Sequence, residues 1–228
     1  MKTSKLALFD LDHTLLNGDS AKEWWDYLIN HGVVDEKKCR AQHLAFSEAY
    51  RRGTMDIQAL LQFQLNILTH HPKETLHAWR EEYVEKHIRP LIVDAGWKTI
   101  AQHKKEGDDL ILITATNEFL TAPIAEMLGI QHLIASRVER DAQGNYTGRS
   151  FGTPSYQEGK IKRLEEWCAE QGRSLEDYKE VWFYSDSHND LPLLSKVSHP
   201  VIVNPDEKLL QHAQEKKWPI VDFGVLRN

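Results

Sequence analysis

The chain begins with a short apolar run, Lys5-Leu-Ala-Leu-Phe-Asp10, that ends in acid, the pattern of a buried strand that delivers a polar group to its carboxyl end. The period then changes. Ser20-Ala-Lys-Glu23 reads as a capping box, after which Trp24, Tyr27 and Leu28 recur at helical spacing until Gly32. Three further helices are predicted: over 35–52 closed by Gly53, over 55–69 with Leu60, Leu61, Leu65 and Leu68, and over 73–89 between Pro72 and Pro90. No strand pattern interrupts this block.

After Pro90, helix and strand patterns alternate. A helix near 95–106 precedes the strand Asp109–Thr114, a helix over 117–128 ends at Gly129, and a short strand follows near 132–136. Such alternation specifies βαβ units and a parallel sheet. Asp141-Ala-Gln-Gly-Asn145 predicts a hairpin turn within 137–150; a helix over 158–171, a strand Glu180–Ser185 and a final strand Pro200–Val203 complete the pattern. The first strand is too short to fold without the strands after residue 108. The predicted fold is therefore α/β: a Rossmann-like parallel sheet built from residues 1–16 and 92–228, with an inserted α-helical cap domain at 17–91.

Composition adds limits rather than detail. Of 228 residues, 41% are apolar and 27% charged, with seven each of Trp, Tyr and Phe, which describes a soluble globular protein and excludes disorder. The balance of 28 Lys+Arg against 34 Asp+Glu, with no dense basic run, argues against a dedicated nucleic-acid binder. Asp10 and Asp12 interrupt the apolar stretch near the start, so neither a signal peptide nor a membrane span is expected, and the chain reads as cytoplasmic. Cys39 and Cys168 stand far apart and are expected as free thiols. The 12 histidines are scattered and read as surface or helix-end residues rather than zinc ligands; His13 and His188 in particular are expected to face solvent. Trp24 and Trp25 are adjacent on one helix, so one of the pair is expected to point away from the core.

Three predicted strands end in polar residues that a buried strand does not need. They are Asp10-Leu-Asp12-His-Thr14, Thr114-Ala115-Thr116-Asn117 and Ser185-Asp186-Ser-His-Asn189-Asp190. In an open parallel sheet the carboxyl ends of the strands meet in one crevice, so these groups are expected to converge. Asp10, Asp12, Asp186 and Asp190 brought together repel one another, and an all-oxygen set of donors favours Mg²⁺ as the neutralising ion. A cation beside a nucleophilic aspartate suits phosphoryl transfer, where catalysis is mostly positioning and charge neutralisation. In that chemistry Asp10 attacks phosphorus to give an aspartyl-phosphate. Asp12 protonates the leaving alcohol and then deprotonates water, which requires a pKa raised by burial and a neighbouring carboxylate. Thr114 and the amides of Ala115, Thr116 and Asn117 at the start of the next helix are candidates to hold the substrate phosphate. Lys160 follows Gly159 at a helix start, where the backbone can approach closely, and is the candidate cation. Asp190 serves both to open the helix after it and to orient Lys160, with Asn189 beside it as a supporting residue.

These residues resemble the haloacid dehalogenase-like hydrolases, and within them the phosphoserine phosphatase branch with a helical cap. Asp10 to Thr14 match the first motif, Asp-x-Asp-x-Thr. Thr114 matches the second, Lys160 the third, and Ser185-Asp186 with Asp190 the fourth, in order and spacing across residues 6–204. The resemblance implies Mg²⁺ bound by the side chains of Asp10 and Asp186 and by the backbone carbonyl of Asp12. It also implies that Asp19, nine positions after the nucleophile, contacts a substrate ammonium. The sequence departs from phosphoserine phosphatases in two places. Arg51-Arg52 lacks the pattern around the Arg that grips the serine carboxylate, and Thr114-Ala115-Thr116 replaces Ser-Gly-Gly. Histidinol phosphate and other small amine-bearing monoesters therefore stand beside phosphoserine as candidate substrates for a monomer or dimer acting on a phosphorylated metabolite. A phosphotransferase or phosphomutase on the same fold is the nearest alternative. A phospho-receiver domain is contradicted by Asp10-x-Asp12 and by residues 17–91, and dehalogenation at carbon needs neither Mg²⁺ nor a second acid.

Overall fold

β1 (Leu6–Phe9) is four residues long and buried throughout, because strands flank it on both edges and helices cover both of its faces. The structure, a computed structural model, describes residues 5–225. β1 lies parallel to β2 (Asp109–Asn117) on one side and to β5 (Val181–Ser185) on the other. With β3 (His132–Arg140), β4 (Tyr146–Phe151), β6 (His199–Val203) and β7 (Ile220–Val221), the sheet runs in the order β4-β3-β2-β1-β5-β6-β7. Every pairing is parallel except the β3–β4 hairpin, whose turn is tied by Asp141 Oδ1 accepting from the amides of Gln143 and Asn145. The chain builds outward from β1 through β2 to β3, then restarts on the opposite side at β5. That reversal places a crevice beyond the carboxyl ends of β1 and β5.

Alternation along β1 divides the core. Ala7 and Phe9 pack with Ile100 of α5 (Asp94–Glu106) and with Phe119 and Ile124 of α6 (Glu118–Met127). Leu6 and Leu8 face the other way, toward Leu164 of α7 (Glu158–Glu170), Leu193 of α8 (Leu191–Leu194) and Leu209 of α9 (Glu207–Lys216). Full burial of each such Leu or Ile contributes roughly 1.5–3 kcal/mol. α9 and β7 lie beyond the strand expected to be last: Asp206 caps α9 and buries Leu209 and Ala213, while two residues of β7 are too few to register as a pattern.

The helical segment holds α1 (Ser20–Asn30), α2 (Glu36–Arg52), α3 (Ile57–Asn66) and α4 (Lys73–Tyr83). Asp19, not Ser20, caps α1: it lies in extended backbone and accepts from the Lys22 amide at 2.9 Å, while the Ser20 amide turns to Asp12. The helix expected to reach 69 gives way to a 3₁₀ turn (Ile67–Thr69). The helix expected to reach 89 becomes a π turn (Val84–Ile88) and a 3₁₀ turn (Arg89–Leu91) ahead of the missing N–H of Pro90. Trp24 and Trp25 are both buried, contrary to expectation, because α1 is covered on two sides: Trp24 packs on Tyr27, Tyr83 and Phe119, and Trp25 stacks on Phe63.

The chain leaves the sheet and returns to it at one place. The Asn17 amide donates to Leu91 O at 2.7 Å, the Val93 amide to Leu15 O at 3.0 Å, and Leu16 bridges to Ile92. A second tie comes from Pro123 inside α6. It has no N–H for the carbonyl of Phe119 four residues earlier, and Arg80 of α4 donates to that oxygen at 3.1 Å instead. His103 also departs from the surface reading. It is buried, with its ring nitrogens 2.7 Å from Asp108 Oδ2 and 2.9 Å from the Tyr184 hydroxyl. Cys39 and Cys168 are buried free thiols, and among the described residues no helix is long and apolar enough to cross a membrane.

Gly159 opens α7 against the backbone: a Cβ there would sit 2.1 Å from the carbonyl oxygen of Pro154. Gly159→Ala is expected to destabilise the fold by about 3 kcal/mol, since main chain must move to admit the methyl group. A urea midpoint equal to that of the natural chain would contradict this close approach.

Candidate active site

Parallel pairing with register Phe9↔Leu112 and Phe9↔Tyr184 sets the end of β1 beside Ile113 on one side and Ser185 on the other. The Asp10 amide donates to Tyr184 O at 3.0 Å, which fixes the backbone that carries its carboxylate. Asp10 is 7% exposed, Asp186 6%, Asp190 3%, Lys160 2% and Thr114 1%, so the charged groups of this crevice are almost wholly out of water. The Lys160 ammonium from the first turn of α7 donates to Asp10 Oδ1 and to Asp190 Oδ2, each at 2.8 Å. Asp190 also accepts from Ser185 Oγ at 2.7 Å, and although it precedes α8 its side chain makes no cap hydrogen bond. Thr14 Oγ1 donates to Asp186 Oδ1 at 3.3 Å.

Burial raises the Asp10 carboxyl above the ordinary carboxylate range; Lys160 opposes that shift and Asp190 adds to it. Burial likewise raises Asp12, with Asp19 adding and the Ser20 hydrogen bonds opposing. Burial works to neutralise Lys160, but Asp10 and Asp190 outweigh it and hold the ammonium above its ordinary value, fully charged. Ion pairs this dry contribute little net stability, because desolvation offsets the attraction.

The remaining predicted residues fall into three places. Asp12, partly buried, accepts from the Ser20 amide at 2.6 Å and from the Thr116 hydroxyl at 2.9 Å. Thr116 therefore touches the neighbouring acid, and its amide donates to Thr114 Oγ1 at 3.2 Å. Asn117 caps α6 through Oδ1 and donates through Nδ2 to Gln64 of α3 at 3.1 Å, and the Ala115 carbonyl accepts from Ser136 Oγ at 2.9 Å. Asp19 is spent on the cap of α1, though its charge still bears on Asp12. Asn189 accepts from Tyr156 and Gln157 and donates to Tyr50 O at 3.1 Å. His188, expected to face solvent, is instead partly buried, with its Nδ1 2.8 Å from Asp206 Oδ2. His13 is likewise only partly exposed, with φ +56 and a buried Nδ1.

Several contacts had no sequence signal. Tyr50, at the end of α2, donates to Ser187 Oγ at 3.0 Å, and its phenol is held well above its ordinary pKa by burial and by Asp186, Asp190 and Asp10. Gln64 and the Ser20 amide reach the crevice from the helical segment in the same way. Only tertiary packing brings them there.

Among the described residues no three His, Cys, Asp or Glu side chains form a ready chelate. Mg²⁺ does not require one: it binds typically through one or two carboxylates, with water and substrate phosphate filling its octahedron. Asp10 and Asp186 with the Asp12 carbonyl are hard oxygen donors in a crevice where Lys160 pairs with Asp10 and Asp190 alone, and they fit such an ion.

A model of the haloacid dehalogenase-like hydrolases matches residues 7–195. The chain is 44% identical over 218 residues to the histidinol-phosphatase of Neisseria meningitidis serogroup C (strain 8013), across 96% of this chain and 98% of that one. A protein of unknown function from Bordetella pertussis Tohama I has a crystal structure that superposes with a TM-score of 0.91 at 42% identity, over 97% of this chain and 99% of that one. A substrate-bound phosphoserine phosphatase superposes at 0.67 with 21% identity, over 99% and 95% of the two chains, a likeness of fold alone. The match over most of the length and the near full-length relative agree with the crevice at the β1/β5 reversal, and place the chain in the haloacid dehalogenase-like hydrolase family as one of its phosphatases.

Proposed function

We propose that the chain is a Mg²⁺-dependent phosphatase that hydrolyses a small phosphate monoester through an aspartyl-phosphate on Asp10. One observation carries this reading: Lys160, buried, bridges Asp10 and Asp190 at 2.8 Å at the carboxyl end of the central strand. Such a bridge favours the ionised form of Asp10 against the effect of burial, in a dry pocket stripped of the water that would blunt it as a nucleophile. Bound Mg²⁺, held by Asp10, Asp186 and the Asp12 carbonyl, supplies charge neutralisation for the phosphoryl oxygens. Lys160 adds a second positive charge on the same side, and Thr114 with the amides that follow it holds the phosphate. Asp12, poised by Ser20 and Thr116, gives a proton to the departing alkoxide and later takes one from the water that releases phosphate.

The substrate class follows from the relatives and from the cap. In this reading residues 17–91 form a cap over the crevice and exclude bulk water and large substrates, with Tyr50 and Gln64 reaching down to Ser187 and Asn117. The relative named histidinol-phosphatase supports a small amine-bearing alcohol phosphate, and the carboxylate of Asp19 near Asp12 suits a cationic group on it. The enzyme works on free metabolites in the cytoplasm.

Asp10→Asn is expected to lower kcat by about 10⁴-fold or more with the fold intact, read by phosphate release from histidinol phosphate and by circular dichroism. Retention of a tenth of the activity would remove Asp10 as nucleophile. Asp12→Asn should accumulate a phosphorylated protein, +80 Da by intact mass to within ~1 Da, with turnover down about 10²- to 10⁴-fold. Unmodified mass with natural turnover would rule out the acid/base role. EDTA should abolish phosphate release and excess Mg²⁺ restore it; full activity in the chelator would sink the metal requirement.

A further inference from the structure

Thr116 lies where β2 departs from regular pairing with β3. Ile113 pairs with Ile134 but Asn117 pairs with Ser136, so β2 spends four residue steps where β3 spends two. Irregularities of this kind re-aim side chains beside functional sites. Here the Thr116 side chain is turned across the crevice to a residue 104 positions away in the sequence, donating its hydroxyl to Asp12 Oδ2 at 2.9 Å. The residue is only 8% exposed, so little water competes for that hydroxyl. The other oxygen, Oδ1, accepts from the Ser20 amide at 2.6 Å. One donor on each oxygen fixes the carboxyl plane, which a single hydrogen bond would leave free to turn about χ2.

That restraint works against the local field. Asp19 lies close enough to bear on Asp12, and Asp10 is two residues away, so repulsion alone would swing the Asp12 carboxylate outward. Holding it inward takes donors, and the described residues provide the Ser20 amide and the Thr116 hydroxyl.

We infer that Thr116 is a positioning residue for the phosphatase reaction: its hydroxyl aims the carboxyl of Asp12 at the leaving oxygen of the substrate rather than binding the phosphate itself. The inference rests on the reading of Asp12 as acid and base. A misaimed acid hurts most when the leaving alcohol is a poor one, since a good leaving group departs without a proton. The role is therefore visible in how the rate depends on the leaving group, which loss of a phosphate contact or of packing would not change.

The test measures kcat/KM, which reports the steps up to phosphoenzyme formation, for p-nitrophenyl, phenyl and benzyl phosphate with Mg²⁺. The natural chain is compared with Thr116→Val, Thr116→Ser and Asp12→Asn. Thr116→Val is expected to lose at least about tenfold more on benzyl than on p-nitrophenyl phosphate, and Asp12→Asn more still in the same direction. Thr116→Ser, which keeps the hydroxyl, should stay within about threefold of the natural chain on all three. Equal losses across the three substrates, or a Ser variant as impaired as the Val variant, would overturn the inference. Should Thr116→Val fail to fold by circular dichroism, Thr116→Ala removes the same hydroxyl and is read by the same criterion. Steepening in Asp12→Asn with a parallel loss in the Thr116 variants sinks only the role of Thr116. No steepening in Asp12→Asn, or no turnover by the natural chain, overturns the acid/base reading and the inference with it.

Discussion

One ammonium is shared by two carboxylates, with two further acids beside them, in a place that water barely reaches, and most of what surrounds them follows from that imbalance. Asp10, Asp186 and Asp190 are each less than a tenth exposed, with Asp12 beside them. Burying such charges singly is prohibitive, and even paired they add little to stability, so an arrangement of this kind is retained for its chemistry. Lys160 offsets the charges of Asp10 and Asp190, the latter also accepting from Ser185, while the hydroxyls of Thr14 and Thr116 and the amide of Ser20 meet Asp186 and Asp12. The remaining deficit of positive charge is what makes the crevice receptive to a cation and a phosphate together.

The sheet supplies the scaffold for this imbalance. β1 sits between two parallel neighbours at the point where chain order reverses, so its end opens into a gap rather than onto a helix. The irregularity in β2 tilts Thr114–Thr116 toward the same gap, and the tight start of α7 at Gly159 brings the next residue, Lys160, in from the opposite face. Each device is local, and each bears on one functional group. The helical segment closes the arrangement by sending Tyr50 to Ser187 after β5 and Gln64 to Asn117 at the end of β2, and by donating an Arg80 hydrogen bond to the Phe119 carbonyl that Pro123 leaves without its usual partner.

Much of this is legible in the sequence alone, because it rests on strong local signals. An apolar run that ends in Asp10, repeated at Thr114 and Ser185, is legible as strands that share one edge, and alternation with helices fixes them as parallel. Reading failed where the deciding force was tertiary. Asp19 and Ser20 are both good cap residues, and the choice fell to Asp19 because the Ser20 amide is drawn away by Asp12 from another element. Trp25 is buried because Phe63 of a later helix covers it, and His103 because Asp108 and Tyr184 satisfy both of its ring nitrogens. The hydroxyl of Thr116 gave no signal of its own, because sequence order cannot reveal the two extra residues of β2 beside which it turns to Asp12.

β1 also carries a temporal consequence. The amide of Asp10 is hydrogen-bonded to a strand that is itself flanked, in a four-residue element with no exposed position and no edge. Protons on such amides exchange with solvent only when the sheet opens as a unit, whereas loops and helix ends open far more often. The backbone that carries this carboxylate therefore keeps its place as long as the folded state itself, even while loops and helix ends around it open and close.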